Sequence, residues 1–304
     1  MATAKGSRRN NQAPILGVGD ALGAGDSYIV TDVLSPDEAD AAFEKMKTEV
    51  DWKTMHHRGG EVPRLVAVEG EIGEDGSFPI YRHPADESPP LAPFSPTVAL
   101  IRERVQQVLK HPVNHVLIQH YRSGKDYISD HSDKTIDVVK GSSIVNVSLG
   151  AQRVMTLRMK KDKSTDNDAA IDTGGAGTPR LAQRIPLPHN SMFVMGLETN
   201  AKWLHGINHD NRPLHTKSPE EQAFEGGRIS LTFRHIGTFL SKDESRIWGQ
   251  GARSKEKEQA GLIVYDEEEV SKLIQAFGDE NQKSDFDWDA QYGSGFDLLH
   301  FTAK

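Results

Sequence analysis

In two stretches of the N-terminal third of the chain, hydrophobic residues recur every three or four positions, which is the spacing of one helix face. The first such stretch follows Ser35-Pro36-Asp37-Glu38, a capping box with proline at the first helical position. The second begins at Ser95-Pro96 and is expected to end near His111-Pro112. The pattern predicts two amphipathic helices, whose apolar faces are Ala39, Ala42, Phe43, Met46 and Val50 in the first and Val98, Ile101, Val105 and Leu109 in the second.

From Val116 onward, apolar and polar positions alternate, as they do in half-buried strands. A run of short strands separated by Gly, Asn and Pro turns is typical of a β-sandwich or jelly roll, and helices can brace one of its sheets. Strands are predicted over SYIVTDVL, HVLIQHYR, SSIVNVSLG, RVMTLRMK, SMFVMG, KWLHGI and GRISLTFRHIG.

Two regions show neither the helical spacing nor the alternation of strands. Residues 52–94 are rich in Gly, Pro and His and contain short β-like runs such as RLVAVEG and FPIYRH, which predicts hairpins that can cover an active site. Residues 161–179 are polar and Gly-rich and are expected to form a mobile loop, because ordinary connections are much shorter.

The C-terminal residues form a separate, acidic segment. Residues 241–304 contain 8 Lys or Arg and 14 Asp or Glu, so most of the net charge of −8 lies there. Within them, DEEEVSKLIQAFG predicts a helix that ends at Gly278, and the aromatic segment after it is expected to dock on the core. The chain of 304 residues is therefore divided into a flexible tail (1–26), one folded domain (27–240) and an acidic extension (241–304) that packs on that domain.

Composition narrows the chemistry. The absence of Cys excludes disulfides, thiolate ligands and thiol nucleophiles, which leaves His and carboxylates to bind a metal. No apolar stretch reaches the roughly 18 residues of a membrane span, and the N-terminus lacks the apolar part of a secretory signal. A soluble, intracellular monomer, cytoplasmic or nuclear and without a membrane partner, is expected. The charge distribution neither indicates nor excludes nucleic acid.

A possible metal site lies in the strand region. His131 and Asp133 are two apart at a strand end and point the same way, and His205 follows far downstream. Two imidazoles and one carboxylate can occupy one face of an octahedral Fe(II) and leave positions for other ligands. The His-x-Asp pair alone is weak evidence, because it often occurs by chance.

A strand further along the chain strengthens the interpretation of His131 and Asp133 as metal ligands. Its alternate residues Arg228, Ser230, Thr232 and Arg234 share one face. Two arginines on an inner face need anions to pair with, and a dicarboxylate ligand would supply them. The alternative is a pair of surface arginines on an edge strand.

Taken together, these motifs resemble the AlkB-type members of the Fe(II)/2-oxoglutarate dioxygenase superfamily, from about Val62 to Phe239. The motifs that carry the resemblance are Val62-Pro63-Arg64, VLIQHY, the HSD of His131 to Asp133, IVNVSLG, WLHGI and RISLTFR. The resemblance implies a double-stranded β-helix (jelly-roll) core. With the elements predicted above, the expected fold is α+β, mainly β: this core is braced by helices, with a covering hairpin region over 52–94 and a helical C-terminal extension. It also implies Fe(II) on His131, Asp133 and His205, with 2-oxoglutarate and O2 as co-substrates.

The resemblance further assigns the co-substrate site. Arg228 is expected to bind the distal carboxylate of 2-oxoglutarate, and Arg234 to lie near its keto-acid end. Tyr121 and Gln119 are expected to hydrogen-bond it. The family usually has Asn where this chain has Gln119 and again where it has Ser230, and both replacements keep the polarity of the site.

The substrate is less well defined. Repair members carry an acid two positions after the iron Asp, where this chain has Thr135, and their base-stacking aromatic residue falls around Tyr81 to His83. Arg64 is a further candidate at the mouth of the site. Three functions remain open: oxidative dealkylation of N-alkylated bases in DNA or RNA, hydroxylation or desaturation of a small metabolite or amino acid, and a binding module without catalysis. If bases are the substrate, Thr135→Asp is expected to raise activity.

Overall fold

A computed structural model describes residues 13–57, 60–84, 89–161 and 180–301. The mobile loop expected over 161–179 therefore lies almost entirely outside the described residues. The helices are α1 Pro36–Glu49, α2 Pro96–Leu109, α3 Leu197–Lys202, α4 Pro219–Gln222, α5 Glu267–Gln282 and α6 Trp288–Tyr292. The strands are β1 Tyr28–Thr31, β2 His56–His57, β3 Gly60–Glu61, β4 Leu65–Gly70, β5 Phe78–Pro79, β6 Leu91–Pro93, β7 His115–Tyr121, β8 Ile128–His131, β9 Ile144–Gly150, β10 Arg153–Met159, β11 Ala182–Leu187, β12 Ser191–Met195, β13 Trp203–Ile207, β14 Arg228–Arg234, β15 Thr238–Leu240, β16 Arg246–Gly249 and β17 Gly261–Leu262.

Two sheets form the jelly-roll-like core. The larger has seven strands in the order β1-β12-β9-β14-β7-β4-β6, and the smaller has four in the order β11-β10-β13-β8. Their facing sides share one hydrophobic cluster, to which the larger sheet contributes Ile144 and Phe193 and the smaller contributes Leu157 and Ile185. The expected strands are confirmed as elements of these sheets.

The first two helices cover the other face of the larger sheet. Phe43 and Met46 of α1 and Ile101 of α2 are fully buried against apolar residues of the central strands, such as Leu231. The capping box at Ser35 is present, with both its hydrogen bonds. The prediction of two bracing helices is therefore confirmed.

The region expected to form a series of hairpins is built differently. Within its described part, only β2 and β3 form a small hairpin. β4 and β6 instead extend the larger sheet, and β5 pairs with β15 in a third sheet. RLVAVEG belongs to the larger sheet because it pairs with β7, which buries apolar residues such as Val66 and Ala67.

The flexible tail expected over residues 1–26 needs a correction from residue 13 onward. The Leu16 N–H donates to the carbonyl of Arg184 in β11, and the Arg184 N–H donates to the Pro14 carbonyl. Leu22 is fully buried in the cluster between the two sheets. An apolar side chain in that position is held by its burial, so residues 13–26 belong to the folded domain.

The extension packs against the loop that follows β8. Val270, Leu273 and Phe277 of α5 form a cluster with Ile136 of that loop. Arg82, 2% exposed, pairs with Asp137 and donates to the carbonyls of Phe296 and Leu298.

Among the helices of the described ranges, none has both the length and the apolar character needed to cross a membrane.

The helix in the extension does not end at Gly278, as the sequence suggested, but continues to Gln282. A side chain at Gly278 would meet nothing, and the backbone there has no left-handed φ, so this glycine is an ordinary helical residue. The additional turn carries Glu280 and Asn281.

Candidate active site

Two adjacent strands bring the candidate histidines together. His131 ends β8 and lies directly opposite His205 of β13 in the antiparallel register, with ring centroids 4.3 Å apart. Asp133 follows two residues after His131, and its Oδ1 lies 3.8 Å from His131 Nε2 and 3.7 Å from His205 Nε2. In the described part of the chain, these three residues are the group that could hold a metal ion, and their ligand atoms lie within 4.8 Å of one another.

The surrounding hydrogen bonds leave the right atoms available for a metal. His131 Nδ1 lies 2.8 Å from the Ser129 carbonyl oxygen, which directs Nε2 toward Asp133. Asp133 Oδ2 accepts two hydrogen bonds from Arg234, so Oδ1 is the oxygen that faces the imidazoles. The three residues therefore fit a divalent cation that prefers nitrogen and oxygen ligands.

The electrostatics keep these groups in the protonation states that a metal requires. Burial opposes ionisation of Asp133, but Arg234 and the two histidines outweigh it and hold the pKa of the carboxyl below its usual range. Burial, followed by the proximity of His131, lowers the pKa of His205 to about 3. A neutral imidazole and an ionised carboxylate are the forms that bind metals.

A second polar site surrounds Arg228, which begins β14, whereas Arg234 ends that strand. Arg228 is 1% exposed, and its Nη2 donates to Asn146 Oδ1 (2.9 Å) and Ser148 Oγ (2.7 Å). Its Nε and Nη1 are buried and have no hydrogen-bond partner among the described residues. Burial lowers the pKa of Arg228 to about 10, so the guanidinium remains charged at neutral pH. An unpaired buried cation with free N–H groups is suited to an anionic ligand.

The face of β14 that was expected to line a pocket does so. Arg228 lies opposite Tyr121, and Ser230 opposite Gln119, in the register with β7. The Tyr121 hydroxyl donates to Gln119 Oε1 at 3.2 Å, and the Tyr121 ring lies 5.2 Å from the Arg228 guanidinium. One pocket is lined by the three metal-site residues and by Gln119, Tyr121, Asn146, Arg228, Ser230, Thr232 and Arg234.

Asn146 was not singled out from the sequence. Its side-chain amide donates to Ser230 (2.7 Å) and Thr232 (3.1 Å), while its oxygen accepts from Arg228. A signal was present, because Asn146 and Ser148 interrupt the apolar strand IVNVSLG with the same period of two. A polar stripe on a buried strand indicates a polar pocket.

Comparisons with known proteins agree with this geometry. The family model for the 2OG-Fe(II) oxygenase superfamily matches residues 26–234. DNA oxidative demethylase ALKBH2 of Homo sapiens is 30% identical over 207 residues, which cover 66% of this chain and 69% of that protein. The chain belongs to the AlkB-like 2OG-Fe(II) oxygenases.

Two further matches were found. Alpha-ketoglutarate-dependent dioxygenase alkB homolog 3 of Bos taurus is 28% identical over 203 residues, which cover 66% of this oxygenase and 62% of that protein. The solved structure of OsALKBH1 matches with a TM-score of 0.44 and 16% identity, over 69% of this oxygenase and 97% of that chain. As a member of the family, the oxygenase is an Fe(II)/2-oxoglutarate-dependent dioxygenase that uses O2.

The four candidate substrate residues are not among those that line the oxygenase pocket. Arg64 Nη1 donates to the Tyr127 carbonyl in the turn before β8. Tyr81 lies behind the metal site: its ring lies 3.9 Å from the Arg234 guanidinium, and His83 lies beside it at 5.7 Å. Thr135 turns away, since its hydroxyl donates to Glu280 of α5.

Proposed function

We propose that this oxygenase removes alkyl groups from nitrogen atoms of nucleobases in DNA or RNA. Bound Fe(II), together with 2-oxoglutarate and O2, would supply the hydroxylation of a C–H bond on the alkyl carbon, with release of succinate and CO2. A hydroxylated N-methyl group leaves as formaldehyde and restores the base. The observation that carries the chemistry is the placement of a three-residue metal site and an unpaired buried arginine in one pocket.

The residues divide between the two ligands. His131, Asp133 and His205 would hold the iron through Nε2, Oδ1 and Nε2. Arg228 would bind the distal carboxylate of 2-oxoglutarate through Nε or Nη1, the two donors that lack partners. Tyr121, Gln119 and Ser230 would complete the polar lining around the co-substrate.

In this proposal Arg234 has a second role beside the one expected. Its Nε and Nη2 are both taken by Asp133, and its Nη1 makes a 3.5 Å contact with the Thr232 carbonyl. In this arrangement Arg234 mainly orients the iron ligand. Only Nη1 remains to approach the keto-acid end of 2-oxoglutarate.

The nucleobase as substrate is supported by the relatives and by a group of cationic and aromatic side chains. ALKBH2 is a DNA oxidative demethylase by name, and the match to it covers 66% of this chain. Arg64 donates to the backbone carbonyl of Tyr127, whose exposed ring contacts His209 edge-on at 5.5 Å. Cationic and aromatic side chains are suited to phosphates and unstacked bases. In this proposal the small hairpin β2–β3 helps to cover the substrate.

Thr135 favours a second candidate, a hydroxylase or desaturase of a small molecule. A carboxylate at this position can accept a hydrogen bond from a base amine, but the Thr135 hydroxyl is already committed to Glu280. The other oxygen of Glu280 accepts from Tyr292 at 2.8 Å, so the Glu280 carboxylate does not replace the missing acid in the pocket.

The two candidates separate in one assay. The iron-loaded protein is incubated with 2-oxoglutarate and with DNA or RNA oligonucleotides that carry one N-methylated adenine or cytosine, and matched unmethylated oligonucleotides serve as controls. The proposal predicts formaldehyde in equal amount to succinate, with methylated oligonucleotides only, and activity that falls steeply with salt. The opposite result would be that no oligonucleotide yields formaldehyde, while a small molecule is hydroxylated in equal amount to the succinate formed. That result would replace the proposed function with the second candidate.

A further inference from the structure

The loop that carries Asp133 is buried and has no regular secondary structure. Ser132, Asp133 and Lys134 are each at most 5% exposed, and the strand β8 ends just before them. Buried backbone N–H groups outside helices and sheets need hydrogen-bond acceptors from elsewhere. The loop from Ser132 to Thr135, called the metal loop below, obtains all of them from side chains.

Four different side chains accept these hydrogen bonds. The Asp133 N–H donates to Asn200 Oδ1 at 2.9 Å, and the Lys134 N–H donates to the Tyr81 hydroxyl at 3.0 Å. These two acceptors lie within the domain that matches the family.

The other two acceptors come from the extra turn of α5. The Ser132 N–H donates to Asn281 Oδ1 at 2.9 Å, and the Thr135 N–H donates to Glu280 Oε1 at 3.0 Å. Both residues lie beyond residue 234, where the family match ends. The extension therefore binds the metal loop on either side of Asp133.

Glu280 is held in place for this contact. Its carboxylate accepts from the Thr135 and Tyr292 hydroxyls, and its backbone carbonyl accepts from Lys160 Nζ at 2.7 Å. The Trp288 indole N–H donates to the Thr135 carbonyl at 3.3 Å. A buried carboxylate with this many partners is a rigid support rather than a solvated surface group.

We infer that Glu280 and Asn281 are positioning residues of the iron site, so that the C-terminal extension forms part of the catalytic centre. They act through the metal loop: by fixing the backbone of Ser132 and Thr135 they set the direction of the Asp133 carboxylate between the two histidines. This inference rests on the iron site of the proposed function and is independent of the substrate.

Asn281 provides the sharpest test, because it is only partly buried and its replacement leaves the apolar packing of α5 intact. Asn281→Ala removes the acceptor of the Ser132 N–H, whereas Asn281→Asp keeps an acceptor oxygen there. Glu269→Gln serves as the control, since Glu269 lies on the same helix and forms an outward ion pair with Arg253. The full-length proteins are titrated calorimetrically with Mn(II), a redox-stable substitute for Fe(II), and their melting temperatures are compared.

Outer groups that orient metal ligands typically contribute 10- to 100-fold in metal affinity. Asn281→Ala is therefore expected to weaken Mn(II) binding about tenfold, while Asn281→Asp and Glu269→Gln bind within twofold of the unaltered protein. Glu280→Gln, which keeps one acceptor oxygen, is expected to weaken binding less than Asn281→Ala.

Two results would overturn the inference. One is unchanged Mn(II) affinity in Asn281→Ala together with a lower melting temperature, because a merely structural contact would give that pattern. The other is equal loss of affinity in Asn281→Ala and Asn281→Asp. If the unaltered protein binds no Mn(II), the iron site itself is wrong, whereas a failure to dealkylate oligonucleotides leaves this test unaffected.

Discussion

Arg234 donates two hydrogen bonds to a single oxygen of Asp133, from Nε at 2.9 Å and from Nη2 at 2.7 Å. Both side chains are 3% exposed. The pair fixes the rotamer of Asp133 and leaves its Oδ1 directed at the two imidazoles. The proposed iron ligand is thus ionised and oriented by the protein before any metal binds.

Breaking this ion pair should be costly. Removal of one partner from a buried ion pair costs about 3–5 kcal/mol, because the remaining charge stays buried. Arg234→Gln is therefore expected to lower the free energy of unfolding by about 3 kcal/mol in urea denaturation. Arg158→Gln, which breaks the partly exposed pair with Asp130, should cost under about 1 kcal/mol. Equal losses in the two variants would contradict the role given to Arg234.

Arg228 tests the co-substrate pocket. Lys keeps the positive charge but has neither the planar shape nor the fixed donor directions of the guanidinium. Arg228→Lys is expected to raise the KM for 2-oxoglutarate at least about tenfold, which corresponds to about 1.4 kcal/mol. The control is Arg246→Lys, whose guanidinium is exposed and donates to the Ala260 carbonyl in the extension. An unchanged KM in Arg228→Lys would place the co-substrate elsewhere.

His115 should make the stability of the metal-free protein depend on pH. Its burial, followed by the charge of Arg234, lowers the pKa of His115 from 6.5 to about 3. The unfolded chain therefore binds a proton that the folded protein does not between these values, so stability falls as pH is lowered from 6.5 toward 3. Melting temperatures measured across this range should fall less steeply in His115→Gln. Identical slopes in the two proteins would show that His115 is not responsible.

Thr135 gives an expectation that differs from the one based on sequence alone. An acid at this position was expected to improve activity on methylated bases. In the structure Thr135→Asp places a second carboxylate against Glu280, which burial already keeps at a raised pKa. Thr135→Asp is expected to lower the melting temperature more than Thr135→Val, which loses only the hydrogen bond. A more stable Thr135→Asp protein with higher activity would restore the original expectation.

Much of the core was predictable because local signals and tertiary structure agree there. The capping box at Ser35 started α1 where expected, and period-two alternation placed Arg228, Ser230, Thr232 and Arg234 on one face. His131 and His205 could be paired only by family resemblance, since their contact depends on the register between β8 and β13.

The remainder depended on long-range contacts that leave no periodic signal. Gly278 looked like a helix end, because glycine often ends helices, yet the contacts of Glu280 and Asn281 with the metal loop lie on the turn beyond it. The base-stacking residue was expected around Tyr81 to His83, and the contacts of the Tyr81 hydroxyl with the Lys134 N–H and of its ring with Arg234 appear only in the structure. Neither assignment could be read from spacing along the chain.

The most direct test of the account compares two neighbouring carboxylates. Asp133 faces the histidines, whereas Asp130, three residues earlier, faces outward and pairs with Arg158. Succinate formation from 2-oxoglutarate is measured in Asp133→Ala and Asp130→Ala with Fe(II) present, after circular dichroism has shown that both proteins are folded. No turnover is expected in Asp133→Ala, and near-normal turnover is expected in Asp130→Ala. Full turnover in folded Asp133→Ala would contradict the assignment of the iron site.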